Sequence, residues 1–108
     1  DPIVLLPALR PDFALFHAAS ADREGNVWIG RRQELAVMAH AARETLVTVE
    51  RVLDGCFFDR EEIVAGVLPA LYVSAIAVAP RGAWPLGLDD EYTTDAEAMR
   101  RYARGEAP

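Results

Sequence analysis

The sequence predicts an α/β fold, part of an open, largely parallel sheet with flanking helices. Three observations lead there. Three segments read as strands covered on both faces, which is the signature of parallel strands. Segments of helical character lie between them. Three strands alone make a small sheet with exposed apolar edges, so more polypeptide is expected around it. The chain has 108 residues, 52% hydrophobic and 26% charged, and reads as a single segment, 1–108. It is long enough for one core and too apolar to be disordered.

Ile3 to Pro11 is apolar but interrupted by Pro7 and Pro11, and reads as an extended lead-in. Asp12 to Ala19 is almost wholly apolar without alternation and reads as the first buried strand. Asp22-Arg23-Glu24-Gly25-Asn26 is a turn cluster, and Val27-Trp28-Ile29 a short strand after it. Gln33 to Arg43 places Leu35, Met38, Ala39 and Ala42 at helical spacing. Thr45 to Leu53 is rich in β-branched residues and reads as the second main strand, broken by Asp54-Gly55. Asp59 is the expected N-cap of a short helix through Glu61, Glu62, Ile63 and Val64. Leu71 to Ala79 is expected to be a third buried strand. Pro80 to Asp90 is a loop, and Thr94 or Asp95 caps a last helix through Met99, Tyr102 and Ala103.

Composition excludes several functions. Eleven basic against seventeen acidic residues give a net charge of −6, the wrong sign for reading nucleic acid or an anionic membrane. No apolar run is long enough to span a bilayer. Every basic residue is Arg, so no lysine Schiff base forms on this segment. Cys56 stands alone, and a reduced, cytoplasmic setting is expected. His17 and His40 have no zinc-like spacing, so no metal site is expected. The sequence starts at Asp1 without an initiator Met, and the chain is expected to be a portion of a longer protein.

Few residues carry chemistry. His17 and Ser20 invite a nucleophile–base reading, but a histidine on a buried strand is more often a hydrogen-bonded core residue, and no Asp is obviously spaced to orient it. Glu61-Glu62 and Asp89-Asp90-Glu91 are paired carboxylates that read most simply as solvated. Cys56 precedes Phe57-Phe58, and an apolar setting would raise its pKa and leave it inert. No glycine-rich phosphate cradle is present. Asp22 and Asn26 are expected to act first through the turn, with Asp22→Ala costing roughly 1 kcal/mol, like a lost cap. The functional alternative is that the turn lines a ligand cleft beyond the carboxyl ends of the strands.

The order of short motifs resembles family I CoA-transferase alpha subunits of the glutaconate and 3-oxoacid type. Asp12-Phe13-Ala14-Leu15-Phe16-His17-Ala18 with Ala21-Asp22-Arg23-Glu24-Gly25-Asn26 resembles that family's "D-x-A-L-I-H-A-x-x-A-D-x-x-G-N". Met38-Ala39-His40-Ala41-Ala42 and Thr48-Val49-Glu50 resemble "M-A-x-A-A" and "T-V-E". Asp59 to Ser74 resembles "D-P-x-x-I-x-x-P-G-I-Y-V-D", with Ala70 and Ser74 in place of its Gly and Asp. Gly82-Ala83-Trp84-Pro85 with Tyr92 and Asp95 resembles "G-A-H-P…Y-x-x-D", with Trp84 for His. Ala19-Ser20 stands where many relatives carry a polar pair.

The resemblance covers about residues 12–104 and implies the C-terminal part of an alpha subunit. It implies an enzyme that moves coenzyme A between an acyl-CoA and a free carboxylic acid, through a glutamyl-CoA thioester on a beta subunit. The acyl-CoA thioester is then a substrate, and no bound cofactor is expected. None of Glu24, Glu34, Glu44, Glu50, Glu61, Glu62, Glu91, Glu97 or Glu106 matches the nucleophile motif, so no catalytic residue is assigned here. His17, Ser20, Asp22 and Asn26 are the candidate substrate-binding residues. Two alternatives remain: a ring-opening hydrolase of CoA thioesters with the same fold, and a non-catalytic docking domain.

Overall fold

A computed structural model describes residues 1–107. Five strands and two α-helices follow in the order β1 (Phe13–Asp22), β2 (Val27–Trp28), α1 (Gln33–Ala41), β3 (Glu44–Leu53), β4 (Val67–Leu68), β5 (Ala75–Val78) and α2 (Ala96–Ala103). They form one sheet of order β4-β2-β1-β3-β5. β1, β3 and β5 are parallel, while β2 and β4 are antiparallel additions. The α/β class and open, largely parallel sheet are therefore as the sequence predicts.

β1 and β3 pair in register from Phe13 opposite Glu44 to Asp22 opposite Leu53. Because side chains alternate, this places Phe16, Ala18, Val47 and Val49 on one face. α1 covers that face by burying Leu35 and Ala39 in the same cluster. Val27, Ile29 and Leu68 extend the core toward the β2–β4 side. Asp95 caps α2 by accepting a hydrogen bond from the Ala98 N–H at 2.9 Å, as one of the two expected caps.

Three expectations change. The first strand is not covered on both faces along its length. Phe13 and Leu15 are 60% and 66% exposed, because nothing packs opposite α1 at that end of the sheet. The helix after Asp59 does not form: single 3-10 turns at Phe57–Asp59 and Val64–Gly66 take its place, separated by Arg60–Ile63. Asp59 is the last residue of the first turn rather than a cap. The third strand is shorter, Ala75–Val78, and its side chains are largely exposed at the sheet edge. Ala70–Tyr72 forms a 3-10 turn instead, and the segment then crosses to β5. There the Tyr72 ring stacks on His40 of α1 at 3.9 Å between centroids.

Candidate functional site

Two carboxylates organise the polar interior. The first is Asp22, at the carboxyl end of β1 and 2% exposed. Its Oδ1 accepts the Glu24 and Asn26 backbone N–H groups, both at 2.9 Å. Its Oδ2 accepts the Asn26 side-chain amide at 2.9 Å and the Phe57 N–H at 2.8 Å. Asn26 is itself buried, and its Oδ1 accepts the Ala70 N–H at 2.8 Å. The turn is thus the point at which β1, the segment after β3 and the segment before β5 are joined. Gly25 completes it with φ +93°, where a side chain would be strained. A Cβ there would also lie 3.2 Å from the Ala70 Cβ.

Burial pushes the Asp22 pKa up, but the hydrogen bonds from Phe57, Asn26 and Glu24 outweigh it and hold the carboxyl below its ordinary value. Cys56 lies beside this turn. Its pKa is raised first by a hydrogen bond with the Glu24 carboxylate and also by burial, so the expected direction holds but the main cause is that hydrogen bond rather than apolar neighbours. Asp22, Glu24 and Cys56 bring ligand-type atoms within 4.8 Å of one another. Both Asp22 oxygens are already engaged by four donors, and the thiol is held protonated. The group works as a hydrogen-bonded turn.

The second carboxylate is Glu50, in the last third of β3. Its Oε1 accepts the Arg81 N–H at 2.8 Å. Its Oε2 accepts from His17 Nε2 at 2.5 Å, Tyr92 OH at 3.1 Å and the Gly82 N–H at 3.3 Å. His17 also meets the Thr48 hydroxyl through Nδ1 at 2.7 Å. With the imidazole proton on Nε2, facing the carboxylate, Nδ1 accepts from Thr48; this tautomer is an assignment from the hydrogen-bond pattern. Burial raises the Glu50 pKa, while the Arg81 N–H, His17, Tyr92 and the Gly82 N–H lower it by more, and the net shift is downward. Tyr92 OH in turn accepts the Ala83 N–H at 3.0 Å, and burial and the Glu50 charge raise its pKa.

These bonds draw residues 80–95 over the face opposite α1 as a strap. Arg51 adds a two-pronged ion pair with Glu91, so that acidic cluster is not simply solvated. Trp84 donates its indole N–H to Asp95 at 3.2 Å, tying the strap to the start of α2. Gly82 lies flat against the imidazole: an added Cβ would sit 2.5 Å from His17 Cε1.

The four candidate residues therefore separate. Asp22 and Asn26 form one hub, and His17 lies in the other, on the opposite face. Ser20 is 7% exposed on β1, opposite Trp28 and Arg51. Near the Asp22 turn, a groove of about 460 Å³ is lined by Arg23, Glu24, Gly25, Val52, Ala70 and Val73 to Ile76, among others. Glu50, as the partner of His17, and Tyr92, as a second side chain on Glu50, are the residues that sequence reasoning misses. The signal was present: if the two strands pair in parallel, Thr48 lies opposite His17 and Glu50 shares their face.

A largely parallel α/β sheet whose strand ends are tied by these motif residues has the architecture of the CoA-transferase class. It aligns with the crystal structure of glutaconate coenzyme A-transferase from Acidaminococcus fermentans at a TM-score of 0.78 and 29% identity, covering 92% of this chain and 31% of that one. The structure of a cysteine-to-serine variant of the decarboxylase AibA/AibB aligns with a TM-score of 0.78 at 34% identity, over 91% of this chain and 35% of that one. Among curated proteins, the A subunit of 3-oxoadipate CoA-transferase from Pseudomonas knackmussii is 33% identical over 99 residues, which is 88% of this chain and 33% of the relative. The A subunit of glutaconate CoA-transferase from A. fermentans is 30% identical over 104 residues, 94% of this chain and 32% of the relative. No protein-family profile matches. The chain is homologous to A subunits of CoA-transferases, and it spans about one third of the length of these relatives.

Proposed function

We propose that the chain forms the C-terminal part of an A-type (alpha) subunit in an enzyme that moves coenzyme A between an acyl-CoA and a free carboxylic acid. The observation that carries this reading is the convergence of the dispersed motifs. His17, Glu50, and Gly82 with Tyr92 come from three separate motifs and meet at the Glu50 carboxylate. Asp22, Asn26 and Ala70 come from two and are linked through the Asn26 side chain, which donates to Asp22 and accepts the Ala70 N–H. Homology to the A subunits of two CoA-transferases supports the same assignment.

In this reading the acyl-CoA thioester is attacked by a glutamate of a B-type (beta) subunit, and a glutamyl-CoA thioester follows. This chain supplies no nucleophile. The groove beside the Asp22 turn lies at the carboxyl ends of β1 and β3, where open α/β sheets receive ligands, and it is the place offered to substrate. Asp22 and Asn26 act by fixing its wall, since their polar atoms are already engaged. Ser20 and His17 support the strands behind it. The acyl-CoA is a substrate rather than a bound cofactor, and the setting is cytoplasmic. Among the described residues no helix is long and apolar enough to cross a membrane.

The test compares the purified 108-residue chain, alone and with complete A and B subunits of a CoA-transferase, using several acyl-CoA donors and free carboxylates. The chain alone is expected to show no turnover. Borohydride or hydroxylamine trapping is expected to mark a glutamate of the B subunit, with none marked on this chain. Turnover by the chain alone, or an adduct on one of its own glutamates, overturns the assignment of roles. A second reading is favoured by the structural likeness to a decarboxylase: the same scaffold serves another reaction, such as decarboxylation or ring-opening hydrolysis of a CoA thioester. Release of CO2 or of a ring-opened acid without a carboxylate acceptor would select it.

A further inference from the structure

The groove beside the Asp22 turn joins two kinds of lining. Val52, Ala70, Val73, Ala75 and Ile76 are apolar, and Val73 and Ile76 also pack against the core behind them. The charged lining is unbalanced. Asp22 and Glu24 bring two carboxylates, and Arg23 is the only cation beside them among the described residues. That arginine is already paired with Asp54. The pair is largely exposed, so it competes poorly with water for a further anion. Ser74 adds a neutral hydroxyl whose Oγ accepts the Thr45 N–H at 3.2 Å, and a neutral group does not offset a full charge. The volume of about 460 Å³ suits a small molecule.

We infer that this groove takes the acyl end of the thioester and selects acyl groups whose far end is uncharged, against those that end in a second carboxylate. The inference rests on the proposed place of the groove as the receiver of substrate. Coenzyme A carries its phosphates at the nucleotide end, and a lining with two carboxylates and one paired arginine repels that end. The acyl end is left to enter. An alkyl tail loses water against Val52, Val73 and Ile76, which is favourable. A distal carboxylate would lose water there without a free cation to meet it, which is costly. An ammonium gains little, because Asp22 already accepts four hydrogen bonds and Glu24 is exposed to water. The selectivity departs from the two curated relatives, since glutaconate and 3-oxoadipate, after which they are named, both carry two carboxylates.

The experiment titrates the 108-residue chain with S-hexanoyl-pantetheine and S-adipoyl-pantetheine and follows its amide chemical shifts. The two probes differ only in ending on a methyl or a carboxylate, and neither carries the phosphates of coenzyme A. Shifts at Val52, Val73, Ala75 and Ile76 are expected with the hexanoyl probe at a concentration at least about tenfold lower, a difference of about 1.4 kcal/mol. Val52→Arg places an unpaired cation at a position that is 37% exposed, and is expected to shrink that ratio about tenfold. Glu24→Gln, on the exposed turn, guards against a misfolded arginine variant. It is expected to tighten the adipoyl probe about threefold and to change the hexanoyl probe by less than about twofold. Equal binding of the two probes overturns the inference, as does tighter binding of the adipoyl probe or the lack of groove shifts with either. Tighter binding of an ω-aminohexanoyl probe than of the hexanoyl probe also overturns it, since the groove would then select a cation. Binding is read without turnover, so the two readings fail separately. Selective binding by a chain whose assembled subunits transfer no coenzyme A sinks the proposed reaction alone, and transfer with unselective binding sinks this inference alone.

Discussion

Asp22 and Glu50 each accept four hydrogen bonds, yet they are built in opposite ways. Three of the four donors to Asp22 lie within four residues of it in sequence, and the fourth, the Phe57 N–H, is brought in from after β3. All four donors to Glu50 are more than thirty residues away. Asp22 organises a turn that its own sequence nearly dictates, and distant segments then attach to it. Glu50 organises nothing locally, because its partners arrive only when β1 pairs with β3 and the strap folds back. The first hub should therefore govern whether the domain folds, and the second how firmly the strap is held.

The largest expected effect breaks the first hub. Asp22→Ala removes the acceptor for four donors, including the Asn26 and Phe57 N–H groups in the buried turn. Each unsatisfied buried donor costs about 1–3 kcal/mol, so a loss of roughly 3 kcal/mol or more is expected. That exceeds the 1 kcal/mol expected from the sequence, because the long-range bond to Phe57 and the link through Asn26 to Ala70 are not visible there. Urea unfolding measures it, and a loss below about 1 kcal/mol would reduce Asp22 to a local cap.

The next effect strikes the strap. Gly82→Ala forces a Cβ to within 2.8 Å of the Ala79 carbonyl oxygen as well as onto the His17 ring. Backbone cannot yield as a side chain can, so overpacking of about 1–3 kcal/mol is expected. The loss should appear as faster amide exchange and proteolysis of residues 80–95, with the Asp22 turn still protected. Uniform destabilisation would show that the two hubs are one cooperative unit.

Acid sharpens the comparison. Both carboxyls are held below their ordinary values in the folded state. Their contribution is therefore fully present above the unfolded-state pKa, near 4, and is lost as pH falls through the lower folded-state values. Glu50→Gln removes one share of this loss and leaves that of Asp22. A titration of stability from pH 6 to 3 should show a shallower fall in the variant. An identical slope in the two proteins would mean that Glu50 is not held ionised by its neighbours.

How much was legible follows the same division. The Asp22 turn could be read because Asp, Gly and Asn carry their backbone preferences with them. β1, β3 and α1 could be read because each has a local composition bias. The helix after Asp59 failed because the acidic residues that suit a helix start are followed by only Ile63, Val64 and Ala65 before Gly66, too short a run to bury a helical face. The third strand was overestimated because apolar residues from Leu71 onward serve a crossing segment as well as a strand. The Glu50 hub was closed to a linear reading, since a strand's partner is fixed by topology, although T-V-E and Y-x-x-D each contained half of it.

The smallest expected effect concerns a polar group that neither hub uses. Thr45 is 1% exposed, beneath α1 at the start of β3, and its hydroxyl has no hydrogen-bond partner. Its backbone is engaged instead: the N–H donates to Ser74 Oγ at 3.2 Å, and the carbonyl accepts the Ser74 N–H at 2.8 Å. Burying an unpaired hydroxyl is unfavourable, while valine has the same branched shape and suits a strand. Thr45→Val is therefore expected to raise stability by about 0.5–1 kcal/mol, a Tm increase of a few degrees for a domain of this size. It should leave the acid titration and the strap's protection unchanged, because Thr45 contacts neither carboxylate. A destabilised Thr45→Val would mean that the hydroxyl is hydrogen-bonded in solution, and the start of β3 would then hold a third polar link beside the other two.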